Sequence, residues 1–355
     1  MTRAQPSDTP SPRKPLLIRA RLMTLAAAAF GAALFSVLGL PLPFLLGPML
    51  VCLVVALAGA PLAEMGALGV FMRTFLGVAV GATVTPAMLG SLPGYGLTLA
   101  MVPVFVLVIG AAGYGFFRRV GFDHPTAFYS AMPGGLQDML IFGVEAGGDI
   151  RAMSLVHATR VLVIVSTAPV ILHYAWGADL TRPPGIPLSQ IPPHELLLMA
   201  LAGLVGWKGG ERIGLFGASL LGPLILTAAL SLSGLIHSRP PAEVIMASQF
   251  FIGLSIGANY AGITMRELRV DVGAGIVFTL LLAVISLAVF GLVSLMSEAP
   301  PLDLLLSFLP GGQAEMAVIA IVAGADVAFV VAHHLTRIFV VIVMAPIVAR
   351  LVARR

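Results

Sequence analysis

Apolar residues fill the chain in twelve stretches separated by short polar turns, six on either side of a polar linker at 177–194. The first six run Met23–Leu40, Phe44–Ala60, Leu68–Val84, Leu97–Phe117, Thr126–Ala146 and Ala152–Tyr174. The second six run Glu195–Ile213, Ala218–Ile236, Val244–Ile263, Val272–Met296, Leu304–Gly324 and Val327–Val352. A membrane-crossing helix needs about 20 apolar residues, so each stretch predicts a membrane-type helix. The seventh carries the weakest signal, because Lys208, Glu211 and Arg212 interrupt it.

The same motifs occur twice in the same order. LLGP at Leu45–Pro48 returns at Leu220–Pro223, and FLGVAVGA from Phe75 returns as FIGLSIGA from Phe251. MPGGLQDM from Met132 returns as LPGGQAEM from Leu309, and AGGDIRAMSLVHATR from Ala146 as AGADVAFVVAHHLTR from Ala323. Ordered matches at a near-constant offset mark a duplicated unit. The expected organisation is a first membrane repeat at 22–176, the linker at 177–194 and a second repeat at 195–355. Residues 1–21 are expected to form a disordered cytoplasmic tail.

Composition turns a helical pattern into a membrane one. The 355 residues are 59% hydrophobic and only 10% charged, against about 45–50% and about 25% in soluble domains. A soluble enzyme is excluded, and the twelve stretches leave no length for a soluble domain. The basic N-terminal segment before an apolar stretch looks like a secretory signal, but that stretch belongs to the repeat and is expected to be retained. Cys52 is the only cysteine, so no intrachain disulfide or thiolate metal site can form. The net charge of +4 forms no basic face for nucleic acid.

The few charges discriminate between topologies. Arg73, Arg160 and Arg337 lie within apolar stretches, leaving seventeen Lys and Arg for the positive-inside rule. Twelve crossings put 12 of them inside and 5 outside; treating the Pro-Gly-Gly stretch of each half as a re-entrant hairpin puts 15 inside and only Arg182 and Arg239 outside. The expected fold is an all-α polytopic membrane protein of two homologous halves in inverted orientation. It has ten crossings, a Pro-Gly-Gly-broken or re-entrant helix in each half, and both termini cytoplasmic.

Pro133-Gly134-Gly135 and Pro310-Gly311-Gly312 break the fifth stretch of each half. Proline removes a backbone donor and clashes with the preceding turn, and glycines weaken the helix further. Matching breaks in two halves point to a transporter site, although a single one is as easily a packing kink. Gln137 and Asp138 follow the first break, Gln313 and Glu315 the second. An acid there can simply cap the half-helix; alternatively, backbone N–H groups and glutamines bind a substrate while the carboxylate takes H+ or Na+.

A second cluster opens the last helix of each half. Asp149, His157 and Arg160 correspond to Asp326, His334 and Arg337, with His333 additional. Eleven residues of helix set Asp and Arg about 16 Å apart, so each needs a partner elsewhere. Asp138 or Glu145 is the expected partner of Arg160, and Glu315 of Arg337. Such pairs either hold the hairpin to the helix or leave Arg and His to attract an anion. Thr159 and Thr336 can satisfy freed backbone; Tyr129 and Asn259 are weaker cavity candidates. Arg73 aligns with Gln249, so that arginine breaks the symmetry of the halves.

The doubled pattern of Pro-Gly-Gly, acid, Gly-x-Asp, His and Thr-Arg in these motifs resembles the AbrB family of bacterial membrane proteins, over most of the chain after the tail. The resemblance implies a duplicated membrane domain in a bacterial inner membrane, distinct from the DNA-binding regulator of the same name. Family members are labelled transporters or, in some cases, ammonia monooxygenases, and one name derives from an effect on gene expression; no catalytic residue carries over. The expected function is a secondary transporter for a small anionic or zwitterionic metabolite, with no cofactor or metal and with H+ or Na+ as coupling ion. Its partners are the substrate and the lipid bilayer, with a homodimer left open. The alternatives are an intramembrane monooxygenase, for which no Glu-x-x-His motif exists, and a membrane signalling component.

Overall fold

The computed structural model describes residues 14–86, 90, 92–178, 180, 184–215 and 217–353. Most of the expected tail lies outside the described residues, as do the side chains of Gln137 and Asp138. Every extended regular element among the described residues is helical. The first half contains α1 (Lys14–Val37), α2 (Pro43–Leu57), α3 (Ala67–Gly81), α4 (Gly96–Val120), α5 (His124–Ala131), α6 (Leu136–Glu145) and α7 (Ile150–Trp176). The second contains α8 (Pro193–Arg212), α9 (Ala218–Leu232), α10 (Ala242–Ala258), α11 (Met265–Ser294), α12 (Pro301–Phe308), α13 (Gln313–Ala323) and α14 (Val327–Ala353).

Five of these, in α1, α4, α7, α11 and α14, are long and apolar enough to cross a membrane. Ile276, Val277, Leu280, Val284 and Leu287 stay exposed along one side of α11, an apolar stripe suited to lipid rather than water. One boundary differs from expectation. Helix α1 starts at Lys14, inside the stretch expected to be a disordered tail, because the apolar pattern begins at Leu16 and Ile18. Helix α8 spans its interrupting charges: Lys208 and Glu211 pair at 2.9 Å and remain exposed near its end.

The FLGVAVGA and FIGLSIGA motifs work as close-packing faces. In α3, Gly77 and Gly81 lie against the backbone of Leu220 and Leu224 in α9; in α10, Gly253 and Gly257 lie against Leu45 and Met49 in α2. The third helix of each half therefore crosses the second helix of the other, with backbones too close for a Cβ. Within each half, Gly31 meets Gly47 and Gly206 meets Gly222 in the same way. These six helices pack together, while α4–α7 and α11–α14 carry the broken segments.

Each break turns the chain back on itself. Asp123 caps α5 by accepting from the Thr126 N–H, and Thr126 Oγ1 in turn accepts from the Asp149 N–H at 2.8 Å. Likewise Asp303 Oδ1, at the start of α12, accepts from the Asp326 N–H at 2.9 Å, just past α13. The two ends of each Pro-Gly-Gly segment are thus hydrogen-bonded together, so α5–α6 and α12–α13 are hairpins, each with one mouth and one tip.

Helix α4 shows where the mouths lie. Its Val120 end lines the cavity at the mouth of the α5–α6 hairpin, alongside Thr126 and Asp149. At its other end, the Tyr95 hydroxyl donates to Asp326 Oδ2 at 2.9 Å, at the mouth of the α12–α13 hairpin. The two mouths are separated by the length of α4, about 37 Å for 25 residues.

Candidate functional site

The hairpin tips meet where α7 and α14 carry their arginines. Arg160 is 2% exposed and donates from Nη1 to the Met132 carbonyl at 3.3 Å and from Nη2 to the Gly134 carbonyl at 3.1 Å. Arg337 repeats this, donating to the Leu309 carbonyl at 3.3 Å and the Gly311 carbonyl at 2.8 Å. Proline and the unwound turn free these acceptors, and a planar fork of donors can satisfy two of them at once. One turn earlier on each helix, His157 Nε2 lies 3.0 Å from the Tyr129 carbonyl and His334 Nε2 lies 3.0 Å from the Leu306 carbonyl. A carbonyl only accepts, so Nε2 is the protonated nitrogen in both rings.

Each tip leans on the opposite half. Gly134 packs beside Val341 of α14 and Gly311 beside Ile164 of α7, each four residues beyond the arginine of that helix. Pro133, Gly134, Pro310 and Gly311 are buried, whereas Gly135, Gly312, Gln313 and Glu315 retain partial exposure. The N-terminal ends of α6 and α13 thus begin at the tips, on the side left accessible. Asp149 and Asp326 lie eleven residues upstream of their arginines, so each tip is about 16 Å in from its mouth.

Two expected pairings change here: Glu145 is not the partner of Arg160, and Glu315 is directed to Arg160 rather than Arg337. Arg160 and Arg337 hold backbone carbonyls, which the hairpin turns bring onto the last helix. Glu315 has its electrostatic partners in Arg73 and Arg160, both of the first half. Its carboxylate folds back over the Gly312 Cα and accepts from its own backbone N–H. Glu145 is exposed and away from the tips; the side chain of Asp138 lies outside the described residues.

Asp149 and Asp326 are helix caps at the mouths. Asp149 accepts from the Arg151 and Ala152 N–H groups, and Asp326 from those of Ala328 and Phe329. Thr159 accepts from the Tyr260 hydroxyl at 2.9 Å, and Thr336 donates to the Ala332 carbonyl of its own helix. Neither threonine serves the broken turns, and Asn259 sits at the C-terminal cap of α10. Among the described residues no group of three His, Cys, Asp or Glu converges as a metal site would require.

Sequence reasoning missed a pair of serines. Ser130 and Ser307 each precede their proline by three residues, are buried, and have hydroxyls without a hydrogen-bond partner. The Nδ1 atoms of His157 and His334 and the Nε atoms of Arg160 and Arg337 are also unpaired. The same three orphaned groups recur in each half. The signal was the repeated Ser-x-x-Pro-Gly-Gly, visible in both halves once the breaks are aligned.

Fold and site together define a helical, membrane-type protein with two tip-to-tip hairpins clamped by buried arginines. The family described as "Transition state regulatory protein AbrB" matches residues 44–353, and the chain belongs to it. Over 326 residues it is 26% identical to the Escherichia coli (strain K12) protein named "Putative regulator AbrB", covering 90% of this chain and 92% of the relative. It is also 25% identical over 358 residues to the Bacillus subtilis (strain 168) protein YhjN, named as uncharacterized, covering 92% and 91%. Neither name is that of an enzyme. No solved structure matches the chain.

Proposed function

We propose that this protein is a secondary transporter of a small anionic or zwitterionic metabolite in a bacterial inner membrane, built from two inverted repeats. The observation that carries this reading is the pair of hairpins with mouths at opposite ends of α4 and tips meeting between α7 and α14. A site held between two oppositely entering hairpins can be exposed to either face by moving one tip at a time, which is the requirement of alternating access. Non-helical backbone at membrane depth is tolerated where it is buried in protein or lines a cavity.

The chemistry favours an anion. Half-helix N-termini and the guanidiniums of Arg73 and Arg160 gather around one described carboxylate, that of Glu315, and the Arg337 guanidinium lies near that of Arg160. The orphaned Ser130, Ser307, His157 and His334 atoms supply further polar contacts for a bound molecule. H+ or Na+ coupling, cytoplasmic termini and a homodimer belong to the same proposal. The name of the Escherichia coli relative fits an effect on gene expression exerted through a transported metabolite.

Uptake into proteoliposomes tests the reading. Purified protein reconstituted under a proton or Na+ gradient is expected to accumulate at least one small carboxylate from a labelled panel, with flux lost in Arg160→Gln and Arg337→Gln. Correctly folded protein that moves none of them overturns it.

A further inference from the structure

Glu315 is the described carboxylate at the meeting point of the tips, and its surroundings are cationic. Helix α3 brings Arg73 and α7 brings Arg160 within electrostatic reach of it. Helix α14 contributes Arg337, engaged with the Gly311 carbonyl, and His334, engaged with Leu306. Its His333 bonds instead between Phe329 and Thr98. Helix α10 presents the uncharged Gln249, and Asp303 of α12 is occupied at the hairpin mouth by the Asp326 N–H. The Glu315 carboxylate rests over Gly312 at the N-terminal end of α13, a helix packed against both α3 and α7, and the buried Nε of Arg160 has no partner.

An anion drawn to this place by the half-helix and by Arg73 and Arg160 would find a carboxylate already there. Two anions sharing one pocket repel, and the cheapest relief is protonation of one of them. A sodium ion beside Glu315 would in contrast face two guanidiniums. We infer that Glu315 is a resident anion that substitutes for the substrate, so that substrate binds as the Glu315 carboxylate takes up a proton and becomes a neutral acid. This rests on the transporter reading and specifies it as symport of an anion with a proton.

The halves are unequal in this respect. Arg73 aligns with Gln249, so only the site around α13 carries the extra guanidinium on a third helix. Helix α13 is also the more deeply set half-helix, with Met316 to Ile321 buried, whereas Ile141, Val144 and Glu145 of α6 are exposed.

The test uses full-length protein in detergent and sulfate as the probe, because sulfate keeps its charge across the range examined. Thermal unfolding is followed against sulfate concentration at about pH 7 and about pH 5, the lower pH favouring the protonated acid when two anions share one pocket. At about pH 7, Glu315→Gln should need about tenfold less sulfate than wild type for half-maximal stabilisation, since the competing anion is gone. Wild type at about pH 5 should move toward the variant, and the variant should be insensitive to pH. Comparing proteins at equal sulfate cancels general salt stabilisation.

Gly312→Ala provides a second route, because a Cβ there collides with the Glu315 carboxylate while the backbone, at φ −72° and ψ 145°, accepts alanine. It should shift the sulfate response in the direction of Glu315→Gln. Equal responses in wild type and both variants at both pH values overturn the inference, as does loss of the response in the variants. A response that depends on Na+ rather than on pH overturns it too. Gradient-driven uptake with none of these sulfate shifts would retain the transporter reading and discard this one; the shifts without any uptake would do the reverse.

Discussion

Arg160 and Arg337 perform the same task in opposite halves: each reaches back 26 and 28 residues to hold two carbonyls of its own hairpin tip, and the two guanidiniums lie close enough to repel each other. Each arginine thereby fixes the turn that positions a half-helix N-terminus. The repulsion between them is relieved by an anion placed at the tips, which links the fold's buried charge to its proposed substrate.

Removing either fork should destabilise the protein. Arg160→Gln and Arg337→Gln each lose two charge-assisted hydrogen bonds and leave buried carbonyls unpaired, a cost of about 2–4 kcal/mol. Lysine keeps the charge but cannot reproduce the two-carbonyl fork, so Arg160→Lys should fall between wild type and Arg160→Gln. Denaturant unfolding in detergent gives the order; wild-type stability in Arg160→Lys would contradict it.

The caps should behave differently. Asp149→Ala removes the acceptor for the first N–H groups of α7 and should cost about 1 kcal/mol of stability. Because Asp149 stands about 16 Å from the tip, substrate or sulfate affinity measured on the folded fraction should be unchanged. A large loss of affinity in this variant would restore Asp149 to the binding cluster.

These residues also show where sequence reasoning stops. The doubled Pro-Gly-Gly and the matching His and Arg were legible because hydrogen-bond partners 26 to 28 residues apart stay in one half and repeat with it. The link between Arg73 and Glu315 was not, since it joins different halves and the duplication contains no copy of it. The distance of Asp149 from Arg160 along the helix was legible, but its role as the cap of α7 at the hairpin mouth was not, because that depends on where the chain turns into the helix. The glycines of FLGVAVGA and FIGLSIGA were visible as a repeat, but only the packed structure identifies them as crossings onto α9 and α2.

Those crossings are expected to be intolerant of bulk. Gly77→Leu and Gly253→Leu drive a side chain into the carbonyls of Leu220 and Leu45 respectively, and overpacking of this kind costs about 1–3 kcal/mol or more. Both variants should lower the yield of folded protein on size-exclusion chromatography to a similar degree, because the contacts are equivalent. Normal behaviour of either one would show that the interhelical spacing can open.

The two mouths differ, and the difference can be measured. The mouth of the α5–α6 hairpin opens into a cavity of about 1060 Å³ lined by Asp149, Asp271, Arg151 and Glu267 among others. At the opposite mouth the Tyr95 hydroxyl bonds Asp326, and its ring meets Phe329 edge-on at 4.6 Å. Tyr95→Phe removes the hydroxyl and keeps the ring, so it should weaken that closure by about 1 kcal/mol, or about fivefold in an opening equilibrium. Cys52 is fully buried and gives little background for thiol labelling. In detergent, where both faces are reachable, Ala325→Cys beside Asp326 should label about fivefold faster with Tyr95→Phe than without it. Val270→Cys, on the cavity wall at the other mouth, should label rapidly in both backgrounds. Equal rates at Ala325→Cys would mean that the Tyr95 hydroxyl does not hold this mouth shut.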